Sequence, residues 1–137
     1  MVTMVEQENT QTVMDLYAAF GRGDLPAVLA ALTDDVEWVV PGPADVPMAG
    51  TCQGKQAVQA WFGTVAENLA FRVFEPREVI AQSDKVVALI YAEAVARRSE
   101  RPIAGHEAHV WTCRDGKITR HHAYQDTAAI AAAYRGE

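Results

Sequence analysis

Residues 108–126 read AHVWTCRDGKITRHHAYQD, and the way this stretch pairs with itself decides which side chains meet inside the protein. Two runs rich in β-branched and aromatic residues flank RDGK, an Asp-Gly turn signal, so the stretch is a β-hairpin. His121 and His122 are adjacent in its second strand. Successive side chains of a strand point to opposite faces, so only one of the two points inward. Two registers fit the residues. A two-residue Asp-Gly turn pairs Arg114 with Lys117 and sets His109 opposite His122. A three-residue loop, Arg114-Asp115-Gly116 with Gly116 in a bulge, pairs Cys113 with Lys117 and sets His109 opposite His121. One residue of slip exchanges the two histidines.

Outward from the hairpin, residues 86–96 (VVALIYAEAVA) and 71–82 (FRVFEPREVIAQ) read as strands, the latter interrupted near Pro76. Val13, Leu16, Tyr17 and Phe20 recur at helical spacing and predict an amphipathic helix ending near Gly21. After the turn GRGD, Asp24 caps a second helix carrying Leu25, Val28, Leu29 and Leu32, which makes an αα-hairpin. VEWVV, residues 36–40, is a strand that PGPADVP stops. Val58, Trp61, Phe62, Val65 and Leu69 mark a third helix, and DTAAIAAAY a short last one with Asp126 or Thr127 as N-cap. The order is α-α-β-α-β-β-β-β with a short C-terminal helix. Consecutive strands on short turns predict an antiparallel sheet with helices on one side, an α+β class.

The chain has 137 residues, half of them hydrophobic and 22% charged, which predicts one globular domain over 1–137. Its formal net charge is −6, and Arg97, Arg98 and Arg101 form only a short loop patch that includes Glu100. A nucleic-acid partner calls for a Lys/Arg face, which is missing, and an acidic surface is repelled by anionic lipid. No run is apolar and long enough to span a bilayer, and MVTMVEQENTQ lacks the basic-then-apolar order of a signal peptide. Cys52 and Cys113 are far apart and in no metal-ligand spacing, as expected of two reduced thiols in a cytoplasmic protein.

Three blocks carry a family resemblance: LYAAFGRGDLPAVLAALTDDVEWVVPG, GTCQGKQAVQAWF and AHVWTCRDGKITRHHAYQDTAAI. In this order they resemble the SnoaL-like branch of the nuclear-transport-factor-2-like (ketosteroid isomerase-like) superfamily. The resemblance implies a cystatin-like α+β barrel, a cone-shaped curved antiparallel sheet wrapped around the N-terminal helices. It implies an apolar pocket for a small hydrophobic ligand, and a homodimer formed through the outer face of the sheet. The superfamily holds isomerases, polyketide cyclases, hydrolases and non-catalytic domains, and a fold does not choose among them. The position of Val40 holds the proton-moving aspartate in ketosteroid isomerases. A valine accepts no proton, so steroid isomerisation by that route is not expected.

The candidate pocket residues follow from alternation read with this resemblance. Val36, Trp38 and Val40 share one face, and Trp38 and Trp61 wall the pocket. Glu107, His109, Trp111 and Cys113 share another face, and pairing across 97–102 sets Tyr91 and Glu93 beside His109. Small pocket-lining residues in the isomerases favour the bulged register, which turns Thr119, His121, Ala123 and Gln125 inward and Arg120 and His122 outward. His109 paired with Glu93 or His121 would make an acid/base couple, with Tyr17 orienting the substrate. Tyr17 also fits a core tyrosine with a satisfied hydroxyl, Asp45 a solvated loop acid, Asp126 an N-cap, and the Glu–His pair a structural contact. His106 and His109 point to opposite faces, as do His121 and His122, so no three-ligand metal site is expected. Two functions remain: a cofactor-independent isomerase, cyclase or hydrolase acting on a hydrophobic carbonyl or polyketide-like substrate, or a non-catalytic ligand-binding or assembly domain.

Overall fold

A computed structural model describes residues 2–137. The elements are α1 (Met4–Gly21), α2 (Leu25–Ala30), β1 (Leu32–Val40), β2 (Gly50–Gln53), α3 (Lys55–Asn68), β3 (Leu69–Gln82), β4 (Lys85–Ala96), β5 (Pro102–Arg114), β6 (Lys117–Tyr124) and α4 (Thr127–Arg135). The six strands form one curved sheet in the order β2-β1-β6-β5-β4-β3. α1 packs on β3, β4 and β6, and α3 on β1, β2 and β3, so the concave side of the sheet holds both helices. Val13, Leu16, Tyr17 and Ala19 of α1 are buried there with Val58 of α3 and Val36, Trp38 and Val40 of β1.

Local chemistry fixes the helix ends. Thr3 and Glu6 form a reciprocal capping box at α1, and Glu6 also accepts from the Ser83 backbone at 2.8 Å, tying the helix to the β3–β4 turn. Asp24 and Asp126 each accept from a backbone N–H three residues on, capping α2 and α4.

The α+β class holds, with two refinements. β1 pairs with β6 in parallel, so the sheet is mixed rather than wholly antiparallel. The short strand β2, with no β-branched run to announce it, adds to the edge by pairing with β1. α2 is only six residues long, and Leu32, expected on it, begins β1 instead. Leu32 shares its helical spacing with a strand that is buried at both ends, and tertiary pairing with Ile118 decides the outcome. β3 is not interrupted at Pro76. It is an edge strand, where proline is tolerated, and a register shift follows between Pro76 and Glu78.

The hairpin takes neither expected register whole. Arg114 pairs with Lys117 across a two-residue turn, and Asp115 and Gly116 have φ of 52° and 78°, as a type I′ turn requires. The expected three-residue loop is therefore absent. Cys113 pairs with Ile118, but Thr112 pairs with Arg120 and Trp111 with His121, so the extra residue is Thr119. Its hydroxyl donates to the Thr112 carbonyl at 3.2 Å. The bulge switches the inward set from Ile118 to His121 and Ala123, both buried, and leaves Arg120 on the outside bound to Glu37. Thr119, expected inward, is the bulged residue. His109 faces Ala123, and His121 faces Trp111.

Candidate functional site

A cavity opens between the concave face of the sheet and helices α1, α3 and α4, enclosing about 720 Å³ of space with its open mouth included. Its lining is apolar and aromatic, with Trp38, Trp61, Trp111, Phe62 and Phe74 as large walls. Tyr17, Val40, His109, His121 and Ala123 also line it. A concave, mostly apolar lining with a few convergent polar groups is the composition of a site for a small organic molecule.

The polar groups on the wall form one directed chain. An indole N–H only donates, so Trp111 Nε1 gives its hydrogen to Tyr17 Oη at 2.9 Å. The Tyr17 hydroxyl is then free to donate, and His109 Nδ1 lies 2.8 Å away. With Nδ1 accepting, the His109 proton sits on Nε2, which faces Glu107 Oε1 at 3.2 Å. The other oxygen of Glu107 accepts from Gln125 Nε2 at 2.8 Å. Burial pushes the Glu107 carboxyl upward, but the hydrogen bonds from His109 and the Gln125 amide, with the electrostatic attraction of His109 when it is protonated, outweigh it and hold the group below the usual carboxylate range. Burial drives the Tyr17 phenol far above its ordinary value, against the opposing Trp111 hydrogen bond. Tyr17 is a neutral hydroxyl, not a phenolate.

His121 differs. Its ring stacks on Trp38 at 4.1 Å and 24°, and stands edge-on to His109 at 4.8 Å. Only 2% of it is exposed, and burial, then His109 and His122, push its pKa well below the ordinary value. It is a neutral aromatic wall, and its Nδ1 and the Trp38 Nε1 have no hydrogen-bond partner among the described residues.

Two expected members lie elsewhere. β4 pairs with β5 so that Ala88 faces His109, Ile90 faces Glu107, Tyr91 faces His106 and Glu93 faces Ala104. The even residues of β4 therefore share the face of His109, and Tyr91 and Glu93 lie on the other side. Tyr91 donates to Glu93 at 2.9 Å, beneath the Arg77 guanidinium. This one-residue difference in register removes both from the cavity. The carboxylate partner of His109 is Glu107, two residues away on the same strand, and Gln125 completes the chain. Both belonged to inward-facing alternating sets in the sequence, which was the signal for them. Asp45 is an exposed loop acid, as expected, and it also binds Arg135 of α4 through two hydrogen bonds of 2.7 and 2.8 Å, which lower its pKa. Trp61 Nε1 donates to the Met48 carbonyl at 2.8 Å, so the 41–49 loop is fastened at the cavity mouth from two sides. Among the described residues no group of three or more His, Cys, Asp or Glu is placed to hold a metal, and no helix is long and apolar enough to cross a membrane.

The fold that carries this cavity is shared with known proteins. The SnoaL-like domain family model matches residues 13–121. The crystal structure of an NTF2-like protein from Burkholderia xenovorans LB400 is similar with a TM-score of 0.88 at 35% sequence identity, covering 96% of this chain and 99% of that one. TerC, co-crystallised with polyporic acid, is similar with a TM-score of 0.85 at 31% identity, over 93% of this chain and 98% of that one. The uncharacterized protein Rv0034 of Mycobacterium tuberculosis is 31% identical over 128 residues, 92% of this chain and 95% of its own. The family match runs from the cavity face of α1 to His121 in β6, and with it the chain belongs to the SnoaL-like family of the NTF2-like superfamily.

Proposed function

We propose that the cavity moves protons on a hydrophobic carbonyl substrate without a cofactor, in isomerase- or cyclase-type chemistry. The observation that carries this reading is the buried chain Trp111–Tyr17–His109–Glu107–Gln125 along the wall of an otherwise apolar cavity. Val40 offers no base from β1, so the proton acceptor comes from α1 and β5. A substrate proton passes to Tyr17 Oη as Tyr17 passes its own to His109 Nδ1. The imidazolium keeps its Nε2–H on Glu107, whose carboxylate supplies the opposite charge, and the substrate is left as an enolate. Reversal at a neighbouring substrate atom returns every proton and completes a shift of the double bond. Because burial raises the Tyr17 pKa, its hydroxyl works as a relay and not as a stored base. The low pKa of Glu107 keeps it charged throughout. TerC, 31% identical to this chain, was co-crystallised with polyporic acid, which supports a small organic molecule as the kind of partner to test.

One observation favours a second reading. Both ring nitrogens of His109 are already engaged by the protein, which also suits a non-catalytic ligand-binding domain. The test is turnover of a panel of small ketones and polyketide mimics by wild type, Tyr17→Phe and His109→Ala. Turnover by wild type that falls in both variants supports the relay. No turnover of any compound, with apolar ligands still bound equally by His109→Ala, leaves the binding domain.

A further inference from the structure

The concave face does not end at Glu107. On the same face β5 also carries Gly105 and Ile103, which pair with Ala92 and Ala94 of β4. These residues floor a second hollow of about 550 Å³, open mouth included, with Ala129 of α4 on its opposite side. Leu69, Phe71, Glu107, Gln125 and Ile130 line both hollows, so the two chambers adjoin along these side chains, which form the waist between them. Their walls differ. The inner chamber is built from flat aromatic rings, which favour a planar conjugated group. The outer chamber is built from small side chains, and a Cβ added at Gly105 would meet nothing within 4 Å. Its charged lining groups, Glu107 and Asp126, are both acidic, so it disfavours a carboxylate or phosphate. At the waist Gln125 uses an amide N–H on Glu107 and keeps its carbonyl oxygen for another donor.

We infer that the substrate of the proposed site is an elongated, two-part apolar molecule. A flat carbonyl-bearing head occupies the inner chamber, an uncharged alkyl or aryl arm occupies the outer one, and a hydroxyl between them reaches Gln125. The inference rests on the functional reading above for the role of the head, but its test reads binding and not turnover. Trp38, Trp61 and Trp111 all line the inner chamber, so tryptophan fluorescence reports its occupancy. The probes are acetylnaphthalene, its derivative with a hexyl chain on the far ring, and the same derivative ending in a carboxylate. The hexyl ketone is expected to bind wild type at least roughly tenfold more tightly than acetylnaphthalene, since its chain leaves water, and the carboxylate to lose that gain. Gly105→Leu fills the outer chamber and should bring the hexyl ketone down to the affinity of acetylnaphthalene, whose own binding stays within about twofold. Ala92→Leu, on the neighbouring strand, repeats the test from a second position. Equal affinity of wild type for the two ketones, equal weakening of both by the leucine variants, or binding of neither ketone overturns the inference. Length-dependent binding without turnover of any substrate keeps the two chambers and removes only the catalytic role.

Discussion

Four histidines lie on two neighbouring strands and meet two different fates. His109 and His121 are buried beside each other at 4.8 Å, whereas His106 packs against Tyr91 and His122 stacks on Tyr124 on the far side of the sheet. His121 and His122 are consecutive residues, so nothing intrinsic to the side chain separates them. Parity along the strand does. On the inner face a histidine meets a phenol, a carboxylate and tryptophans. On the outer face it meets water, Arg120 at 3.3 Å and an exposed tyrosine. The surroundings of each histidine are thus set by register before residue type.

The strongest way to break the comparison is kinetic. His109→Ala should lower turnover of a ketone substrate by roughly 10²–10⁴-fold, the usual contribution of a positioned acid/base group, while His106→Ala changes it little. Glu107→Gln should act in the same direction, since a neutral amide no longer balances the imidazolium. Equal loss from both histidine substitutions would mean that the inner chain has no special role.

Stability gives the next largest contrast. Trp111 is 1% exposed, touches Tyr17 and Trp38 edge-on, and donates the hydrogen bond that begins the chain. Trp111→Ala should cost about 3–5 kcal/mol by urea denaturation, because a large cavity opens in the core. Tyr124→Ala, at a side chain 55% exposed, should stay within about 0.5 kcal/mol.

A smaller effect separates the adjacent histidines by pH. In the folded state the His121 pKa lies well below its ordinary 6.5. As pH falls through about 6.5 the unfolded chain takes up a proton that the folded chain refuses, so stability declines between that pH and the depressed folded value. Glu107 does not interfere. Its folded pKa lies below 4.5, so its contribution is lost only at lower pH. Between pH of about 7 and 5, His121→Phe should flatten the fall in Tm and keep the stack on Trp38, while His122→Phe should leave the fall in place. The reverse pattern would show that the two rings had been assigned to the wrong faces.

These contrasts also mark what could be read from the residues. The spacing of Val13, Leu16, Tyr17 and Phe20 places Tyr17 on the core face of α1, and the alternation of Val36, Trp38 and Val40 places all three inward, because burial imposes one period on a helix and another on a strand. Register between strands carries no such period. The loop after β4 turns through Glu100 at φ 62°, a left-handed residue that is not glycine, so its geometry leaves no mark in the sequence. A one-residue difference in register across that loop places Ala92 and Ile90 beside the site where the residues predict Glu93 and Tyr91, and makes Glu107 the partner of His109. His121 faces inward as expected, but the bulge that turns it there lies at Thr119 and not at Gly116.

That bulge supplies the smallest and most pointed test. Thr119 is the extra residue between two stretches that pair regularly, Arg114 and Cys113 with Lys117 and Ile118, then Thr112 and Trp111 with Arg120 and His121. Deleting Thr119 brings Arg120 directly after Ile118, and the same partners still meet on the same faces. The deletion should therefore keep His121 inward and keep acetylnaphthalene binding, while losing only the hydrogen bond from Thr119 to Thr112, about 1 kcal/mol. Were binding lost although the protein stays folded, parity alone would not account for the bulge. Its added twist would then be what bends β6 towards β1 and brings His121 onto Trp38, making local curvature rather than register the origin of the cavity wall.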